Sequence, residues 1–146
     1  MNRRSILAAC ALAAFAATPL APTFAGEGGT TPAPEGAAVY FITPTEGETL
    51  ASPVTVRFGL TGLGVAPAGV EQENTGHHHL IVDAELPAFD APIPADENYI
   101  HFGGGQTETT IELPPGEHTL QLIMGDWSHV PHNPPLYSER ITITVE

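Results

Sequence analysis

From Val39 onward apolar and polar residues alternate with a period of two, the mark of strands that bury one face. In "VTVRFGL" Val54, Val56, Phe58 and Leu60 share a face, with Thr55 and Arg57 on the other. "TETTIEL" sends Ile111 and Leu113 inward and leaves Glu108, Thr110 and Glu112 outside. "HTLQLIM" aligns Leu120, Leu122 and Met124, and "RITITVE" aligns Ile141, Ile143 and Val145. Adding "AVYFI" at 38–42, "HHLIVD" at 78–83 and "YIHF" at 99–102 gives about seven strands. No stretch has a helical period with caps, and turn formers recur in "TPTEG", "LPPGE" and "HNPPL". The pattern predicts an all-β fold, an immunoglobulin-like antiparallel β-sandwich, with a jelly roll or small barrel as the structural alternative.

The N-terminus follows different rules. Arg3 and Arg4 precede an apolar run from Ile6 to Ala17 that is too short to span a bilayer, and Thr23, Phe24 and Ala25 supply small residues before Gly26. This predicts a signal peptide over 1–25, a periplasmic or secreted destination and no membrane insertion after cleavage. "GEGGTTPAPEGAA" has no large apolar group, so 26–38 is expected to be a flexible leader and 39–146 a single sandwich domain. Cys10 lies in "LAAC", which imitates a lipoprotein box, but the apolar stretch before it, Ile6 to Ala9, is too short for one.

Charge and cysteine content narrow the chemistry. The formal net charge is −13, and cleavage would remove two of the four basic residues and no acidic one. Nucleic acid and anionic membranes would repel such a chain, whereas cations are drawn to it. Cleavage also removes the only cysteine, which excludes disulfides and thiolate ligands. A metal site must then use His, Asp, Glu, Met or backbone oxygen.

Seven histidines stand out against so few bases. His77, His78 and His79 open one strand, His101 adjoins a glycine run, and His129 and His132 lie in "SHVPH", a loop stiffened by prolines. Strand side chains alternate, so His77 and His79 share one side while His78 joins Leu80 and Val82 on the other. Three connections are long enough to carry function: 61–76, 84–98 and 125–139. Loops at one end of a sandwich converge, so the triplet and "SHVPH" are candidates for one rim, with Asp126 as a ligand or as an acceptor that orients an imidazole. The candidate metal residues are therefore His77, His78, His79, His101, His129, His132 and Asp126. His118, in phase with Leu120 and Leu122, reads instead as a core-edge histidine satisfied by a backbone carbonyl.

"GHHHLIVD", "PADENYIHFGGGQTET", "LPPGEHTLQLIMGD" and "HVPHNPP" together resemble DUF4399, a family of bacterial envelope domains marked by a GHHH motif and an LGD-like motif. Met124, Gly125 and Asp126 stand where the family pattern has LGD. The resemblance spans Val39 to Glu146 and implies an envelope location, without implying an activity.

Three functions compete. Imidazoles without thiolate suit Cu(II) or Zn(II), which points to metal binding for buffering or delivery. Cu(I) prefers sulfur, and Met124 is the only methionine after cleavage. A metal-dependent envelope enzyme is the second reading, but no serine-nucleophile, paired-carboxylate or HExxH motif is present. The third is a metal-free glycan- or protein-binding module, with Trp127 and Tyr137 as contact residues and an envelope protein as its partner.

Overall fold

The structure, a computed structural model, describes residues 31–146; the expected signal peptide and residues 26–30 of the expected leader lie outside the described residues. The strands are β1 (Ala38–Thr43), β2 (Thr49–Leu50), β3 (Val54–Thr61), β4 (Gly64–Val65), β5 (Thr75–Val82), β6 (Tyr99–His101), β7 (Glu108–Ile111), β8 (Gly116–Gly125) and β9 (Ile141–Val145). The described residues contain no helix. Nine strands replace the expected seven because β2 and β4, at two residues each, are too short to show an alternation. They also pair in parallel, β2 with β9 and β4 with β5, which corrects the expectation of purely antiparallel pairing.

Two sheets result. One has the order β1-β3-β7, and the other runs β2-β9-β8-β5-β4 with β6 added beside β5. The alternating faces read from the sequence meet between them. Val39, Val54, Val56 and Phe58 come from the first sheet, and Leu80, Leu120, Leu122, Met124, Ile143 and Val145 from the second. Each such side chain, fully buried, stabilises the fold by about 1.5–3 kcal/mol relative to exposure.

The strands β5 and β8 depart from simple alternation. From Gly76 to Val82 every residue is buried, and so is every residue from Leu120 to Asp126. The outer face of this part of the sheet is roofed as well. Ile81 and Ile123 pack there with Ile93, and Leu86, Phe89 and Tyr99 flank them, so the 84–98 connection is a cover over the sheet.

Residues 31–33, read from composition as leader, run beside the 125–139 loop. Ala33 N donates to Asn133 O and Asn133 N donates to Thr31 O, each at 2.9 Å. A segment with no apolar pattern still carries backbone donors and acceptors, and here they are paired.

Candidate metal centre

The pleat of β5 divides the triplet. His77 and His79 point to the roofed outer face, with ring centroids 4.9 Å apart, and their Nε2 atoms approach to 3.1 Å. His78 points the other way, into the core, where its ring lies 5.0 Å from that of Phe58. β6 is antiparallel to β5 with His101 directly opposite His79, which puts a third imidazole on the same face; its centroid is 5.0 Å from those of both His77 and His79. His129 closes the group from the loop, 5.1 Å from His77 and 4.8 Å from His101 between centroids. One ring nitrogen from each of His77, His101 and His129 lies within 4.8 Å of the others.

Glycines make room for these rings. Gly125 is opposite His77 in the β5–β8 register, and a Cβ there would lie 3.0 Å from His79 Nε2 and 3.4 Å from His129 Cα. A Cβ on Gly103 would come within 2.3 Å of His101 Cε1. The sequence reading took the histidines and passed over these glycines; their adjacency to "MGD" and "HFGGG" was the available signal.

Asp126 shapes the loop. Its Oδ1 accepts hydrogen bonds from Ser128 N, Ser128 Oγ and Val130 N, and its Oδ2 accepts one from Thr31 Oγ1 at 2.6 Å. Burial pushes this carboxyl up, but the hydrogen bonds from Thr31, Ser128 and Val130 outweigh it and hold the group below its ordinary range. With both oxygens engaged, Asp126 organises the turn that presents His129. That turn is tight: His129 N donates to Asp126 O at 2.9 Å, and His129 has φ 71°, a left-handed backbone rare outside glycine. Ile93 N donates to His129 O, which ties the 84–98 cover to the same turn.

Two expected participants stand apart. His132 is buried, and its Nε2 donates to Thr75 O at 3.1 Å. It packs against Gly76, where a Cβ would lie 2.8 Å from its Cε1, rather than against the cluster. His78 is walled into the core. His118 matches its structural reading: Nε2 donates to Pro114 O at 2.9 Å, and Nδ1 lies 2.7 Å from Asp83 Oδ2. The hydrogen bond to Asp83 is the main reason its pKa is raised.

The electrostatics suit a metal ligand set. Burial, reinforced by His101 and His129, pushes His77 down to about 4, although Asp126 pulls the other way. Burial and four neighbouring imidazoles, His77, His101, His129 and His78, push His79 down to about 2. His101 is lowered too, by burial and by His129. Both inner rings are thus neutral at pH 7, with lone pairs free of protons. Nδ1 of His77 and of His79 is buried without a protein partner. Two nitrogens on a tetrahedral ion at 2.0–2.1 Å stand about 3.3–3.4 Å apart, so the inner pair is already near ligand spacing.

A family model described as "Domain of unknown function (DUF4399)" matches residues 56–146. The chain belongs to this family. The match runs from within β3 to the end of the chain, so it takes in every histidine but not β1, which the motif resemblance had included. The curated proteins and the solved structures searched contain no match. In this DUF4399 chain the GHHH motif gives two rings to the cluster, one to the core, and a glycine to the contact with His132. The "MGD" motif gives Gly125, which clears space for His79, and Asp126, which folds the loop.

The aromatic residues of the 125–139 loop face solvent. Trp127 is 42% exposed and Tyr137 45%, the latter stacked on Phe89 at 5.7 Å. Trp127 is therefore not a core residue. It lines a cavity of about 460 Å³ with Glu71 and Glu73, separate from the histidines.

Proposed function

We propose that this protein is an exported, periplasmic or secreted metal-binding domain on an immunoglobulin-like frame, and that it holds Cu(II) or Zn(II) for buffering or delivery. The observation that carries this reading is the convergence of His77, His79, His101 and His129 on one sheet face, with the first two fully buried. Burial keeps His77 and His79 neutral, the form in which an imidazole nitrogen ligates a metal. An all-imidazole set without thiolate suits borderline divalent ions, and at equal geometry the Irving–Williams order favours copper. The acidic surface draws cations from a distance.

Asp126 leaves the ligand set in this reading and becomes the residue that positions His129. His78 and His132 leave it as well, the first for the core and the second for its bond to Thr75. The metal-free recognition reading keeps one observation in its favour, the exposure of Trp127 and Tyr137.

Elemental analysis of untagged protein purified from the periplasm tests the proposal directly, because a polyhistidine tag imitates the chemistry at issue. Copper or zinc near one ion per chain is the expected result. Protein that carries neither, and takes up neither when titrated, would falsify it.

A further inference from the structure

The four imidazoles are not equivalent. His77 and His79 are 0% exposed and sit on a strand hydrogen-bonded on both sides; Gly125 is opposite His77 in the register and leaves room for the His79 ring. His101 is exposed, on a strand of three residues that pairs only with β5, and a glycine run begins two residues after it, at Gly103. His129 is half-buried on a turn whose left-handed backbone a β-carbon disfavours by about 1–3 kcal/mol.

Ligand exchange at a metal needs a line of approach for the incoming donor and space for the departing one. Only the His101 and His129 side offers both. The inner rings are fully buried, with Gly125 of β8 and the outer imidazoles around them, and their Nε2 atoms stand at ligand spacing, 3.1 Å apart.

We propose that the centre is divided into an anchoring pair, His77 and His79, and an exchanging pair, His101 and His129, at which an imidazole presented by a partner replaces a resident ligand as the ion is handed over. This rests on the metal-binding reading and adds its route of transfer. No bond other than metal–nitrogen changes: one imidazole leaves as another arrives, and the oxidation state of the ion is constant.

The test is chemical rescue with free imidazole on the full-length mature protein loaded with Cu(II). H101A and H129A each remove an outer ligand that solvent can reach. Imidazole at about 10 mM should restore the Cu(II) spectrum and bring affinity back to within about tenfold of the unaltered protein. Labelled imidazole should appear in the copper hyperfine pattern of those two variants. H79A should lose copper and gain nothing from imidazole, because its site is closed to an added ring. H79Q, which keeps more of the side-chain volume, serves where H79A does not fold.

Both outer variants should also pass copper to an imidazole-bearing chelator faster than the unaltered protein does. Failure of rescue in H101A and H129A, or equal rescue in a folded His79 variant, overturns the division. An unaltered protein that binds no copper or zinc would instead remove the metal reading itself, so the two failures are distinguishable.

Discussion

His77 Nε2 and His79 Nε2 lie 3.1 Å apart on one face of β5, a separation at which only one of the two nitrogens can carry a proton. In the metal-free protein one ring donates to the other. For both to ligate, that proton must move to Nδ1 on its own ring, so the pair exchanges one hydrogen bond for two metal bonds. The geometry changes little in the exchange, which keeps the ordering cost of binding low.

Metal should stabilise the fold. Free Cu(II) or Zn(II) at one hundred times its dissociation constant adds about 2.7 kcal/mol to the folded state. For a domain of this size that corresponds to a rise of roughly ten degrees in Tm. Calorimetry with and without the ion checks it, and superimposable curves for both ions would speak against a specific site.

The histidines should separate by role. His79→Ala should weaken metal binding severely, and His79→Ala with His101→Ala should cost less than the sum of the single losses, because either change breaks the same site. His132→Ala should leave affinity nearly intact and lower stability, since it removes the hydrogen bond to Thr75 and leaves a void beside Gly76. Titration calorimetry on each variant decides it; a His132 loss as large as that of His79 would contradict the placement.

The pH dependence has two components of opposite sign. His77, His78 and His79 are held below the unfolded value of about 6.5, so the unfolded chain binds more protons than the folded one as pH falls. Their contribution is fully present above pH 6.5 and is lost as pH drops from there towards about 4. His118 is raised, so its contribution is present below pH 6.5 and lost as pH rises through its folded pKa. Denaturation of metal-free protein across pH should show the acid-side loss, and His118→Gln should flatten only the neutral-side decline.

Metal affinity should depend on pH less steeply than four ordinary imidazoles would require. The inner rings are already neutral above about pH 5, so between pH 7.5 and 5.5 they release no proton when the ion arrives. Isothermal titration in buffers of different ionisation enthalpy counts the protons. Release of three or four in that interval would show that the inner pair is charged before binding.

His118→Ala should act on stability alone. It removes the partner of Asp83 and of the Pro114 carbonyl, a loss of about 1–3 kcal/mol for hydrogen bonds of this kind. Thermal unfolding should register the change while metal affinity stays within error.

The alternation of Val54, Val56 and Phe58 and of Ile141, Ile143 and Val145 made the core strands legible, because one side of each faces the opposite sheet and the other faces water. β2 and β4 were not legible, since two residues carry no period. The split of the triplet followed from pleat geometry alone, and so did the role of His118. The pairing of His101 with His79 could not be read, because register between strands about twenty residues apart is fixed by turns and packing. His132 was placed with His129 for proximity in sequence, but the turn built on Asp126 aims the two rings at different neighbours. Asp126 read equally as a ligand or as an acceptor that orients an imidazole, because sequence shows a carboxylate and not the amides and hydroxyls that surround it.

Each face of β5 passes from imidazole to aliphatic along the run: His77, His79 and Ile81 on one side, His78, Leu80 and Val82 on the other. Shifted by one position against β8, it would still offer histidines and hydrophobes to each side, so hydrophobic patterning cannot tell the right alignment from its neighbour. Gly76 can. A Cβ at that position would stand 2.7 Å from Gly125 O, a backbone atom with nowhere to retreat, so a slip that brought His77 into its place is sterically barred. The glycine that opens the motif therefore works as a proofreading device for folding, and the histidines gain their separate tasks only because it locks the strand in one alignment.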